Sequence, residues 1–223
     1  MRVNGTVSDE SATMVEDISL VAAAAPVAAN GTVAPPPRVK NSALRPREYL
    51  TPVEVDALLQ AARSRGRYGA RDATMNLIAY RHGLRVAELV ALRWEQIDFA
   101  QSYLHVQRVK NGTPSVHPLR GLELRALRQV KRDSVASAYV FVTERGGPMT
   151  PAGFRKLLAR TGRAAGFGFL VHPHMLRHAC GYKLANDGQD TRAIQHYLGH
   201  KNITHTVRYT QLRADRFEGF WND

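Results

Sequence analysis

Asn111-Gly112 limits the fold more than any other feature of this chain. The pair stands between residues 103–109, which alternate apolar and polar, and residues 113–119, which read as a return strand. Asn-Gly supplies the positive φ that both central residues of a type I′ turn require, and the twist of that turn matches two antiparallel strands. A hairpin therefore has to be seated in whatever the rest of the chain builds, with Lys110 at its tip.

The rest reads as helix. Thr51-Pro52-Val53-Glu54 is a capping box with proline at the first helical position, and Leu50 with Val55 forms a hydrophobic staple. The pattern predicts a second helix over 70–82, closed by Gly83 in a left-handed cap. A third is predicted to begin at once with Leu84, placing Arg85 and Glu88 on one face and Leu89 and Leu92 inward. Residues 122–132 form an amphipathic pattern, and 139–142 read as a short buried strand closed by Gly146-Gly147-Pro148. Thr150-Pro151 caps a helix over 151–164 that carries Arg155, Lys156, Arg160 and Arg163. A helix over 174–186 follows Pro173, Asp190 caps a short one ending at Gly199, and a last one carries Val207 and Tyr209. The expected class is mostly α with a small antiparallel β-sheet (α+β).

Residues 1–46 are rich in Ala, Val, Pro, Gly and Ser and show no sustained period, so they read as a flexible low-complexity leader. Four acidic residues precede the apolar run 18–25, where a signal peptide needs cations. No apolar run approaches the roughly 20 residues of a membrane span. The single cysteine, Cys180, excludes an internal disulfide and fits a reducing cytoplasm. Net charge is +12. The leader holds four cations and four anions, so the whole excess falls on residues 47–223. That balance suits either a generally basic surface or a polyanionic partner. On its own the 151–164 stripe is equally a solvated face or a set of phosphate contacts.

Residues 172–209 carry an unusual set: His174 and Arg177 three apart, then His200, then Tyr209 nine residues later. Cleaving a phosphodiester with a side chain needs a nucleophile, cationic donors for the non-bridging oxygens, and an acid for the leaving oxygen. A phenol, with a pKa of about 10, suits a bond that must later be remade. An arginine fork gives two parallel charge-assisted hydrogen bonds and stays protonated. Histidine can pass a proton near neutrality. Each residue also has an ordinary reading: Arg85–Glu88 as a surface salt bridge, Lys110 as a solubilising tip, Tyr209 as core. His174 and His178, at i,i+4, lack the carboxylate and second ligand pair that a metal site would need, so no metal is expected, and His178 reads as a buried structural histidine.

Taken together, Gly83-Leu84-Arg85-Val86-Ala87-Glu88-Leu89, the Lys110 hairpin, His174-Met175-Leu176-Arg177-His178, Leu198-Gly199-His200 and Tyr209 resemble the tyrosine recombinase (phage integrase) family over about residues 47–223. Pro173-His174, Leu184-Ala185-Asn186, Asp190-Thr191-Arg192 and Arg216-Phe217-Glu218-Gly219-Phe220-Trp221 are most similar to its small type 1 fimbriae phase-variation members. The resemblance implies the catalytic-domain fold of that family and DNA cleavage without metal or cofactor. Tyr209 would attack the scissile phosphate to leave a 3′-phosphotyrosyl bond. Arg85, Arg177 and His200 would hold the phosphate, Lys110 would protonate the 5′-oxygen, and His174 would exchange the proton of the tyrosine. Glu88 would fix the cations from behind. The partners implied are double-stranded DNA and three further copies of the chain, with no membrane.

Larger members of the family carry an N-terminal helical domain where this chain has its leader, which implies a more open grip on DNA. The aromatic segment from Phe217 to Trp221 is expected to dock either on a neighbouring protomer or on its own core. Two other functions share parts of the pattern. A non-catalytic DNA-binding regulator on the same scaffold would have no use for Tyr209 or Lys110. A type IB topoisomerase-like enzyme would share the attack but not the short chain.

Overall fold

The computed structural model describes residues 47–108 and 113–210, all within the unit Arg45–Asp223. The leader, the hairpin tip with Lys110 and the aromatic C-terminal segment lie outside the described residues.

Helix α1 (Pro52–Arg63) begins at the expected capping box: Thr51 N–H donates to Glu54 Oε2 at 2.8 Å and Glu54 N–H donates to Thr51 Oγ1 at 3.3 Å. Leu50 and Val55 are both buried beneath it. Helix α2 (Gly69–Arg81) runs through the middle of the domain, with residues 73–79 buried on all sides. Its end is fixed by Gly83, at φ +55. A Cβ there would be strained and would lie 2.4 Å from Leu198 Cδ2, so glycine lets two distant segments meet.

Helix α3 (Val86–Val90) starts two residues later than the pattern predicts, because Arg85 is its extended N-cap at ψ 153 rather than a helical residue. The Glu88 carboxylate accepts the Arg85 backbone N–H at 2.8 Å, which satisfies an amide that the helix itself leaves unpaired. A turn of 3-10 helix, Trp94–Gln96, leads into a three-stranded antiparallel sheet in the order β1 (Ile97–Asp98), β2 (Tyr103–Val106), β3 (Ser115–Pro118). The register pairs Ile97 with Leu104, Leu104 with His117, and Val106 with Ser115. The hairpin strands are shorter than 103–109 and 113–119, and β1 is an addition to the expected pair.

Helix α4 (Gly121–Asp133) packs on α2, and α5 (Pro151–Ala164) has the expected bounds, with Thr150 Oγ1 accepting Gly153 N–H at 3.0 Å. Residues 140–142 are buried as expected, with Tyr139 half-buried, but the segment does not join the sheet. It forms only isolated bridges, Arg93 with Tyr139 and Val142 with Pro148, because its amides are taken by loop partners such as Leu92 O. Helices α6 (Pro173–Asn186), α7 (Thr191–Leu198) and α8 (Thr204–Thr210) complete the domain. The main core includes Leu58, Met75, Leu104, Phe141, Phe154 and Leu176. A second cluster of Cys180, Tyr182, Ala185, Ile194, Leu198 and Tyr209 joins α6, α7 and α8, and carries the site. Among the described residues no helix is long and apolar enough to cross a membrane.

Candidate active site

The C-terminal end of α7 organises the site. An α-helix leaves its last carbonyls without backbone donors and carries partial negative charge there. Here three consecutive carbonyls each meet a different arginine. Arg108 Nη2 donates to Tyr197 O, Arg177 Nη2 donates to Leu198 O at 2.7 Å, and Arg85 Nη2 donates to Gly199 O at 3.3 Å. Arg177 Nη1 also donates to Gly83 O, which ties α6 to the turn before α3. Gly199 makes the approach possible: it sits at φ +64, and a Cβ there would lie 2.8 Å from Arg108 Nε.

Glu88 stands behind this cluster, 6% exposed. Its carboxylate accepts Arg85 Nη1 at 2.8 Å and Arg108 Nη1 at 2.9 Å. Burial alone would raise its pKa. The Arg85 amide and the two guanidiniums outweigh that and hold the carboxyl below its ordinary range. Burial, followed by repulsion from Arg85 and Arg108, pulls Arg177 down to about 10, still protonated at neutral pH. Three guanidiniums face one carboxylate, which leaves an excess of two positive charges at a partly buried spot. That excess suits a phosphate gaining a second negative charge in a pentacoordinate transition state.

His200 follows Gly199. Its Nδ1 pairs with Thr206 Oγ1 at 2.9 Å, so Nε2 is the nitrogen placed to serve a substrate oxygen. Burial, with Arg177 and Arg85 next, lowers its pKa to about 3, so the ring is neutral and an Nε2–H can donate only as that tautomer. Tyr209, on α8, is 2% exposed and stacks beside His200 with ring centroids 6.2 Å apart. Its hydroxyl lies 2.8 Å from His178 Nδ1. Burial pushes the phenol up to about 12, against the opposing pull of Arg177. Gly181 lies directly against the Tyr209 ring: a Cβ there would come within 2.6 Å of Tyr209 Cε2. His174 is exposed one turn before His178, edge-on to it at 5.5 Å.

Arg85, Glu88, Arg177, His200 and Tyr209 therefore converge, with His174 at the margin and Lys110 outside the described residues. Arg155, Lys156, Arg160 and Arg163 are all exposed on α5; Lys156, Arg160 and Arg163 line a groove of about 430 Å³ with Arg71. No cluster that could hold a metal occurs among the described residues. One residue of the site carries no signal in the sequence, and another is read there only as structural. Arg108 alternates within a strand pattern, and its partners are 20 and 89 residues away. His178 has a role beyond the structural one read for it, since its ring holds the Tyr209 hydroxyl.

Residues 48–216 match the phage integrase family. The chain is 43% identical over 181 residues to the type 1 fimbriae regulatory protein FimE of Escherichia coli (strain K12), covering 78% of this chain and 91% of that one. It is 40% identical to FimB of the same strain, covering 79% and 90%. It is 38% identical to the tyrosine recombinase XerC of Roseiflexus sp. (strain RS-1), covering 73% of this chain and 55% of the relative. Among solved structures, the XerA recombinase superposes with a TM-score of 0.65 at 27% identity, covering 75% of this chain and 61% of that one. A lambda integrase dimer bound to a core site shares the fold at a TM-score of 0.58 and 24% identity, covering 79% and 50%. The chain belongs to the phage integrase family, the site-specific tyrosine recombinases.

Proposed function

We propose that the protein binds double-stranded DNA and breaks and rejoins it through a 3′-phosphotyrosyl bond on Tyr209, working in the cytoplasm as four copies on two paired sites. The observation that carries this reading is the meeting of Arg85, Arg177 and His200 at the end of α7, with Tyr209 packed against the same helices.

Arg85 and Arg177 turn their forks to the non-bridging oxygens, and His200 donates through Nε2. Glu88 and Arg108 keep the forks in place; they touch protein rather than phosphate, and act by orientation. Tyr209 attacks phosphorus, the bond to the 5′-oxygen breaks, and Lys110 protonates that oxygen. The phosphotyrosyl bond conserves the energy of the broken one, so rejoining needs no cofactor. In the described arrangement the Tyr209 hydroxyl is covered and engaged by His178. Attack therefore requires α8 to shift, and His178 is placed to receive the phenolic proton as it leaves, with His174 beside it to pass the proton outward. The exposed cations of α5 hold the duplex. The similarity to FimE and FimB, regulatory proteins of type 1 fimbriae, favours inversion of a DNA segment over integration.

The test is trapping on a duplex nicked close to a crossover site, where the short cleaved strand diffuses away. Wild type should accumulate a covalent protein–DNA adduct. Tyr209→Phe should bind the same duplex and form none. A protein that binds DNA as wild type but never forms an adduct would be a regulator instead.

A further inference from the structure

A buried polar chain unrelated to the phosphate clamp runs from α4 to the cleft beside His200. Glu123 Oε1 lies 2.7 Å from His82 Nε2, with both side chains almost fully buried. His82 Nδ1 lies 3.2 Å from His117 Nδ1, and His117 Nε2 lies 2.9 Å from Ser115 Oγ. The Tyr197 ring covers His117 at a centroid distance of 3.8 Å, and its hydroxyl donates to Arg81 O at 3.0 Å while standing 3.3 Å from His82 Nδ1. Ser115 is half-buried and ends the chain in a cavity of about 330 Å³, lined also by Thr113, Gln195, Gly199, His200 and Lys201. Two imidazoles joined nitrogen to nitrogen between a carboxylate and a hydroxyl can carry a proton but cannot all donate at once.

The two ways of filling this chain with protons differ at Ser115. With both rings neutral, His82 Nε2–H faces Glu123, His117 Nδ1–H donates to His82 Nδ1, and His117 Nε2 must accept from the Ser115 hydroxyl. Ser115 then shows the cleft only lone pairs, which repel a phosphate. Adding one proton reverses the two links beyond His82 and leaves its Nε2–H facing Glu123. Ser115 passes its proton to His117 Nε2 and takes a new one from the cleft, while His117 passes its Nδ1 proton to His82. His82 becomes the cation, opposite Glu123. His117 Nε2–H now donates to Ser115 Oγ, and the hydroxyl is free to donate into the cleft.

We infer that Ser115 is a contact for the DNA phosphate backbone, switched from acceptor to donor by one proton carried on the His82–His117 pair. This rests on the recombinase reading, which supplies the phosphate; His200 and Lys201 in the same cavity make it a place for an anion. The charged and titratable groups facing the pair are Glu123 from α4, Arg81 from α2, Arg108 two residues past β2, and Tyr197 from α7, with Cys180 acting on Tyr197 in turn. Glu123 stands against His82 and favours an added charge on that side of the pair, whereas Arg108 opposes it and burial keeps His117 itself neutral, with its pKa lowered to about 3.

The experiment is the affinity of the full chain for a duplex of mixed sequence, across about pH 5 to 8, where histidine pairs change charge. The ratio of wild-type to Ser115→Ala affinity should approach one at the alkaline end and reach about tenfold at the acid end, the size expected of one hydrogen bond to a charged group. Ser115→Thr, which keeps the hydroxyl, should follow wild type. His82→Gln, which cannot take the proton, should make the ratio independent of pH. Nitrogen-15 shifts of the two rings should change together in wild type. A pH-independent wild-type ratio, or rings that titrate separately, overturns the switch while leaving the recombinase reading intact if the covalent adduct still forms. A wild-type chain that binds no duplex at any pH overturns both.

Discussion

Arg108 and Glu88 hold each other in a region almost closed to water, and each has a second tie, Arg108 to Tyr197 O and Glu88 to the Arg85 amide. Removing one partner of a buried pair leaves the other uncompensated, which costs about 3–5 kcal/mol. In Arg108→Met the Arg85 fork still faces Glu88, so the loss of unfolding free energy in a denaturant titration should fall below that range, yet well above the loss for an exposed arginine such as Arg160. The histidines give a second expectation at this scale. His178 and His200 are held neutral in the fold, lowered to about 3 chiefly by burial, against about 6.5 in an unfolded chain. As pH falls, the unfolded state takes up these protons first. Their contribution is therefore fully present above about pH 6.5 and lost as pH falls toward their folded values. His178→Asn should flatten the acid side of the stability curve by about 1.4 kcal/mol per pH unit, one proton fewer in the linkage. Calorimetry across that range measures it.

Local signals account for most of the elements. The Thr51 and Thr150 caps set α1 and α5, Asp190 and Gly199 bracket α7, and the two predicted hairpin strands do pair over 103–106 and 115–118. The misses come from hydrogen-bond partners that periodicity does not show. Helix α3 begins late because Glu88 serves the Arg85 amide and two guanidiniums at once. Residues 139–142 stay out of the sheet because Leu92, far back along the chain, and Met149, eight residues past Phe141, take their backbone groups. Helix α8 is short and keeps its place largely through Tyr209 in the second core cluster, over the bare backbone of Gly181. Gly181→Ala would put a methyl into that ring, an overpacking that costs about 1–3 kcal/mol. The amides of α8 should then exchange with deuterium far faster while those of α2 change little.

At the scale of the molecule, the site joins segments more than a hundred residues apart, such as Arg85 and Gly199. Spacing alone reveals its parts but not their meeting. Arg85, Arg177, His200 and Tyr209 were legible because their flanking motifs match a family. Arg108 and the pairing of His178 with Tyr209 were not, since a buried arginine in a strand and a histidine on a helix read as ordinary until their partners are seen. The +12 charge was legible, and its use is testable. Each phosphate neutralised adds about 0.9 to the slope of log affinity against log salt. Replacing Arg155, Lys156, Arg160 and Arg163 by alanine should reduce that slope by up to about 3.6 in fluorescence titrations, with circular dichroism unchanged.

In the proposed reaction the phenolic oxygen of Tyr209, buried as it is, becomes bonded to DNA. The direct measurement is to trap the adduct, digest it with protease and nuclease, and find by mass spectrometry which residue carries the nucleotide. The expected product is a nucleotide joined through its 3′-phosphate to the peptide containing Tyr209, with no adduct from Tyr209→Phe. A nucleotide on any other residue, or an adduct that survives Tyr209→Phe, would contradict the proposed reaction.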